Sequence, residues 1–259
     1  MNIINRLIQF AHHRWLVLKG SYFPRFKVLI KLYGGVHAFI SNRYCTIYSD
    51  RYENTIAPYM LELSKQSKVF FDIGAHVGFW STYIWASTKG NVRVIAFEPN
   101  PVAREWLALH FAFNQISSPS KIEPIAFSDI RTESQFSFSD NCSSGSLSSE
   151  VCKLNTRYYT RRVQNINVKV TTIDHYVEEF DIIPDFIKID CEGHELKILK
   201  GAYKTLFHYH PKLIIEVHPP QLILVGDSET ALLGELQRLS YKVKVIDRQT
   251  NSLKTILAI

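Results

Sequence analysis

Short apolar runs in this chain keep ending at an acid. Val69–Phe71 runs into Asp72, Val92–Phe97 into Glu98 and Phe186–Ile189 into Asp190, while Leu213–Val217 carries Glu216 near its end. Helix-like patterns alternate with them over Val77–Ser87, Pro101–Phe113, Glu195–Phe207 and Glu229–Leu239, and Pro101 suits a first helical turn. Strands apolar on both faces, alternating with helices, predict an α/β fold with a doubly wound, mostly parallel sheet covered on both sides. Ligands of such sheets sit beyond the carboxyl ends of the strands, where these acids fall. A further strand is expected at Ile122–Phe127. Lys242–Ile246 and Leu253–Ala258, joined through Gln249-Thr250-Asn251, read as an antiparallel hairpin.

The turn after the first run is Asp72-Ile73-Gly74-Ala75-His76-Val77-Gly78. Gly74 and Gly78 let the backbone turn sharply and approach a ligand closely. Glu98, at the end of the next strand, can accept two hydrogen bonds from ribose hydroxyls. A dinucleotide loop spaces its glycines G-x-G-x-x-G and seats a pyrophosphate on the helix N-terminus. Here His76 takes the middle position, and the charge of Asp72 opposes a pyrophosphate. A nicotinamide-dependent oxidoreductase is therefore the weaker reading. A cationic nucleoside, S-adenosylmethionine, suits the acid, the glycine turn and the distal acid together.

Phe186-Ile187-Lys188-Ile189-Asp190-Cys191-Glu192-Gly193-His194-Glu195 is the second chemical signal. Its strand is expected beside Val69–Phe71, bringing Asp190, Glu192 and His194 to the crevice of Gly74. The strand ending Glu216-Val217-His218 adds another acid and another histidine. Such a set can bind a polyol and remove a proton from it. Glu195, inside the helix start, is expected to interact with the helix dipole.

The 259 residues suffice for one α/β domain with additions, and the 46% hydrophobic and 21% charged content is ordinary for a soluble protein. No apolar run approaches the roughly 20 residues of a membrane span. Arg6, His12, His13 and Arg14 interrupt the N-terminal apolar residues and no small-residue cleavage site is apparent, so a plain signal peptide is not expected and a cytoplasmic location is the expectation. Cys45, Cys142, Cys152 and Cys191 form no Cys-x-x-Cys pair and read as idle thiols. The net charge of +6 is concentrated before Asp50, where Arg6, Arg14, Lys19, Arg25, Lys27, Lys31 and Arg43 meet no acid. Interleaved with Ile4, Leu7, Ile8 and Ala11, they suggest either a helix docked on the core with a basic face, or peripheral contact with the inner face of a membrane or an acidic acceptor. Val36–Ile40 and Tyr44–Tyr48 read as extended and residues 53–64 as a helix. Residues 1–66 form an N-terminal segment packing on a catalytic domain of residues 67–259. The Ser-, Asn- and Thr-rich insertion near residues 128–163 is expected to be an irregular lid or binding loop.

Phe71-Asp72-Ile73-Gly74-Ala75-His76-Val77-Gly78, Ala96-Phe97-Glu98-Pro99-Asn100, Ile187–Glu195, Leu199-Lys200-Gly201-Ala202 and Ile215-Glu216-Val217-His218 occur in an order that resembles the FkbM-type methyltransferases. These are class I, S-adenosylmethionine-dependent O-methyltransferases, and the resemblance covers roughly Val69 to Pro219. It implies a seven-stranded sheet with a reversed C-terminal hairpin. It implies that Asp72, Gly74 and Gly78 line the methionine part of the cofactor, with His76 in that loop where asparagine is common. Glu98 would hold the ribose, Asn100 the adenine region and Asp129 the adenine amine. Asp190 and Glu192 would face the transferred methyl and the acceptor. His194 or His218 suits the general base near neutral pH, with either acid orienting it or itself taking the proton. A divalent metal bridging Asp190, Glu192 and the acceptor is left open. Sugars, polyketides and other small molecules are the implied acceptors, and a saccharide hydroxyl is favoured. An RNA methyltransferase is an alternative, opposed by an acidic strand-end cluster that repels phosphates. A non-catalytic cofactor-binding module is another, and it leaves the converging acids and histidines unexplained.

Overall fold

The computed structural model describes residues 26–139, 145–156, 163–249 and 252–259. The basic N-terminal helix with its membrane reading, Cys142, and the Thr250-Asn251 turn lie outside the described residues. In chain order the strands are β1 Lys27–Lys31, β2 His37–Ser41, β3 Val69–Ile73, β4 Arg93–Phe97, β5 Lys121–Glu123, β6 Ile125–Phe127, β7 Thr132–Ser139, β8 Gly145–Ser146, β9 Val163–Thr171, β10 Phe186–Ile189, β11 Lys212–Val217, β12 Val243–Arg248 and β13 Lys254–Ala258. The helices are α1 Ala57–Lys65, α2 Phe79–Ser87, α3 Pro101–Phe113, α4 Ser149–Thr156, α5 Ile173–Phe180, α6 Glu195–Lys200, α7 Tyr203–Tyr209, α8 Pro219–Leu224 and α9 Glu229–Arg238.

The main sheet has the order β12-β13-β11-β10-β3-β4-β5. β13 runs antiparallel to β11 and β12, and the pairs from β11 to β5 are parallel. Connections lead outward from β3 through β4 to β5, and on the other side from β10 to β11. The sheet therefore reverses direction between β3 and β10, which opens a crevice at their carboxyl ends. Register aligns those ends: Ile73 is level with Phe97 and Ile189, and Ile189 with Ile215.

The apolar strands fill two cores. Phe70, Val94 and Phe186 face α1, α2 and α3, while Phe71, Ile95, Ile187 and Leu213 face α5, α6, α7 and α9. Full burial of each such side chain contributes roughly 1.5–3 kcal/mol. On the first side the β1–β2 hairpin is tied down by α3. Phe39 N donates to Asn114 Oδ1 at 2.8 Å, Asn114 Nδ2 donates to Phe39 O at 2.7 Å, and Ser41 N donates to His110 Nε2 at 3.0 Å. Because Nε2 accepts, the proton of His110 sits on Nδ1, which lies 2.7 Å from Val77 O. Burial keeps this imidazole neutral, with its pKa lowered to about 4.

Several local expectations are corrected. The run Ile122–Phe127 is two strands: Pro124 has no N–H to donate, the ladder breaks there, and β6 leaves the main sheet. Tyr44–Tyr48 is a run of turns, with Tyr44 and Tyr48 stacked 5.9 Å apart between ring centres. The helix expected from residue 53 begins at Ala57, behind a Glu53 with φ 47°. Glu195–Phe207 is two helices meeting at Gly201, where a Cβ would lie 2.1 Å from Ser128 O. The insertion is not irregular in its described part. β7 pairs along its whole length with β9, in the sheet β6-β9-β7-β8 around Phe136, Phe138, Val168 and Val170. Among the described residues, no helix is long and apolar enough to cross a membrane.

Candidate active site

The loop after β3 is held by its neighbours. Gly74 N and Ala75 N both donate to Phe97 O at 3.1 Å, and Asp190 N donates to Ile73 O at 3.1 Å. Gly74 has φ +74°, and a Cβ there would stand 1.9 Å from the Asp190 carbonyl oxygen, so no other residue fits. His76 takes φ 52°, a left-handed conformation in which asparagine and histidine are both enriched, so its departure from the family residue is conformationally mild. Gly78 (φ +84°) starts α2 against Leu107, whose Cδ1 would lie 2.3 Å from an added Cβ.

Glu98 is buried beside this loop. Its Oε2 accepts from His76 N at 2.7 Å and its Oε1 from Asn100 N at 2.8 Å. Burial pushes its pKa up to about 7, against the pull of those two N–H groups and of Arg104. Asn100 caps α3, its Oδ1 accepting from Val102 N at 3.0 Å.

Loop and acid face a cavity of about 170 Å³. Gly74, His76, Glu98 and Asn100 line one side, Asp190, Glu192 and His194 another, and Ala126, Phe127, Phe136 and Ser146 close it. The second sheet, built largely from the insertion, thus supplies a wall. Gly78 lies outside the lining, at the start of α2. Asp129 is exposed and also outside the lining; its Oδ1 accepts from Ser128 Oγ at 3.0 Å. Asp72 lies beneath the loop, 1% exposed, with Oδ2 accepting from Ser81 Oγ at 2.6 Å. It anchors α2 and the charge network below the cavity and does not line it.

That network centres on Lys188. Its Nζ lies 3.2 Å from Asp190 Oδ2, 3.3 Å from Gly74 O and 3.6 Å from Asp72 Oδ1. Burial opposes the charge of Lys188, but Asp190 and Asp72 outweigh it and raise its pKa. Burial likewise opposes the charge of Asp190, and Lys188 and His218 outweigh it, so its pKa falls. Beyond Asp190, His218 Nδ1 lies 2.8 Å from Glu195 Oε1, while Nε2 lies 3.8 Å from Asp190 Oδ1 and 3.6 Å from Glu192 Oε2. Burial works against a charged His218, and Glu192, Glu195 and Asp190 overcome it. Glu192, at φ 49°, accepts from Asn155 Nδ2 at 2.9 Å, and burial raises its pKa. His194 is driven the other way: burial lowers its pKa to about 4 and leaves it neutral.

The structure thus gathers Asp190, Glu192, His194 and His218, and adds members the sequence reading passed over. Lys188 was visible as a charge inside the apolar run Phe186–Ile189, a position that demands a buried partner. Glu195 does more than start a helix, since it holds His218. Glu53 and Tyr52 come from the N-terminal segment: Glu53 Oε2 accepts from Trp80 Nε1 at 3.0 Å, Tyr52 hydrogen-bonds Glu53, and both lie within electrostatic reach of Asp190. No local pattern announces that pair, which the fold brings in from beyond the strand-helix alternation.

Comparison with known proteins gives the family and the fold. Residues 72–243 match the family model described as the Methyltransferase FkbM domain. The chain is 28% identical over 196 residues to the hexuronic acid methyltransferase AglP of Haloferax volcanii, covering 73% of this chain and 74% of that protein. It is similar in fold to the crystal structure of methyltransferase FkbM from Methylobacillus flagellatus KT, with TM-score 0.51 and 20% identity, over 74% of this chain and 44% of that one. Gly74, Glu98, Asp190 and His218 all fall inside the matched residues, and the chain belongs to the FkbM family of S-adenosylmethionine-dependent methyltransferases.

Proposed function

We propose that the chain transfers a methyl group from S-adenosylmethionine to an oxygen, favouring a hydroxyl, of a saccharide acceptor. The observation that carries this reading is the cavity itself, with a glycine turn and Glu98 on one side and Asp190, Glu192 and His194 on the other. The cofactor would lay its ribose on Glu98 and its adenine between Asn100 and the second-sheet wall of Ala126, Phe127 and Phe136. Gly74 and His76 would hold its methionine part, and Asp190 would favour the positive sulfonium. The acids suit a cationic donor. They also disfavour a polynucleotide, whose phosphates they would repel. The similarity to a hexuronic acid methyltransferase supports a sugar-derived acceptor.

In the reaction, the acceptor oxygen attacks the methyl carbon in line with the carbon–sulfur bond. The new carbon–oxygen bond forms as the carbon–sulfur bond breaks, its electron pair going to sulfur as S-adenosylhomocysteine leaves. The hydroxyl proton passes to a carboxylate. Glu192 is placed for this: it lines the cavity, its strained backbone fixes its direction, and one oxygen is held by Asn155. The protein's main contributions are alignment and exclusion of water. Methyl-labelled S-adenosylmethionine incubated with neutral and uronate oligosaccharides tests the reading, and label in a saccharide is expected. In the same assay, Glu192→Gln should keep cofactor binding and lose roughly 10²-fold or more in kcat. Label confined to nucleic acid, or in no acceptor with cofactor bound, would defeat it.

A further inference from the structure

His218 presents an electrostatic problem. It is 3% exposed, and Glu195 holds its Nδ1, which fixes the ring and leaves Nε2 to face inward. Nε2 makes no hydrogen bond, and it points at Asp190 Oδ1 and Glu192 Oε2 from 3.8 and 3.6 Å. Without an ion, the proton that Glu192, Glu195 and Asp190 favour on this ring supplies the positive charge between them, and a divalent ion would take its place. An N–H···O hydrogen bond draws its atoms to about 2.7–3.2 Å, closer than these. Donors that share one divalent ion through bonds of about 2.0–2.2 Å stand roughly 3–4.4 Å apart.

A third donor completes the set. Glu216, at the end of β11, offers an oxygen that lies with those of Asp190 and His218 Nε2 within 4.8 Å of one another. Lys188 does not occupy this position, because it engages Asp190 through Oδ2 and leaves Oδ1 to face His218. Glu53 and Glu192 are further acids within electrostatic reach of the same point.

We infer that Asp190, Glu216 and His218 form a divalent-cation site on the acceptor side of the cavity. Two carboxylates and one imidazole suit both Mn²⁺ and Zn²⁺, with Zn²⁺ the tighter binder. Three protein ligands leave coordination positions open, and one of the three, Asp190, lines the cavity. An ion there reconciles an acidic cluster with an acceptor that brings hydroxyl or carboxylate oxygens of its own. The ligand set differs from the Asp190–Glu192 bridge suggested by sequence, because Glu192 Oε2 is already engaged by Asn155 and Gln221. The role toward the acceptor rests on the proposed function, but the binding site does not.

Titrating the full chain with MnCl₂, followed by electron paramagnetic resonance of the free ion, tests the site without cofactor or acceptor. One Mn²⁺ per chain is expected, displaced by Zn²⁺. Glu216→Gln and His218→Asn should each weaken it by about tenfold or more, with circular dichroism confirming that the variants are folded. Glu216 is only partly buried, so its variant decides the matter if His218→Asn does not fold. Absence of saturable binding by wild type, or wild-type affinity in folded Glu216→Gln, would overturn the proposal. A chain that binds S-adenosylhomocysteine but no Mn²⁺ keeps the methyltransferase reading and loses this one.

Discussion

Replacing Glu98 with glutamine separates cofactor recognition from mere loop structure, because the two respond differently to pH. The carboxylate is pushed from its ordinary 4.5 up to about 7 by burial. That displacement corresponds to a cost on the order of 3 kcal/mol for holding the charge in the folded chain. The sign follows from the direction. The folded state binds the proton more tightly than the unfolded state, so this group lowers stability as pH rises from its ordinary value through about 7, and the full cost is present above that. Ribose hydroxyls donating to Glu98 favour its ionised form, so cofactor binding should release the proton. With a free-state pKa of about 7, affinity for S-adenosylmethionine should fall about tenfold between about pH 8 and about pH 6. Glu98→Gln abolishes this dependence and, by losing charge-assisted hydrogen bonds worth roughly 1.5–3 kcal/mol each, weakens binding at least about tenfold at the higher pH. The glutamine can face only one of His76 N and Asn100 N with an acceptor, so relief of the buried charge is offset by about 1–3 kcal/mol. Isothermal titration at both pH values, in buffers of different ionisation enthalpy, measures affinity and proton release together. The same pH slope in wild type and Glu98→Gln would refute the reasoning.

Two further substitutions test the frame that carries the site. Lys188→Met removes the cation between Asp72 and Asp190 and should cost about 3–5 kcal/mol in urea unfolding; a loss under about 1 kcal/mol would show that these carboxylates find another partner. Gly74→Ala places a Cβ 1.9 Å from the Asp190 carbonyl oxygen at a positive φ, so it should abolish cofactor binding in isothermal titration and lower the melting temperature, and a variant with wild-type affinity would contradict the close approach of β3 and β10.

The central strands were legible because both faces are buried, which leaves continuous apolar runs such as Val69–Phe71 and Phe186–Ile189. The acids were legible because parallel register puts every strand end at one edge, so Asp72, Glu98 and Asp190 could be grouped before any coordinates. Position within that edge was not legible. Asp72 turns beneath the loop to meet Ser81 and Lys188, while Asp190, also at a strand end, reaches the cavity. The second sheet was missed because Thr132–Ser139 has apolar side chains only at Phe136 and Phe138, its other buried positions being Ser137 and Ser139. Its polar alternate residues look like a loop when serine is the commonest of them. Tyr52 and Glu53 were missed for a different reason: turns of the N-terminal segment bring them within electrostatic reach of Asp190, and nothing local records that approach.

A crystal structure with S-adenosylhomocysteine bound would locate the donor half of the site. Ribose hydroxyls are expected on the Glu98 carboxylate, the amino-acid tail along Gly74 and His76, and the sulfur directed at the space bounded by Asp190, Glu192 and His218. A nucleoside seated elsewhere, or a sulfur facing away from Asp190, would contradict this placement.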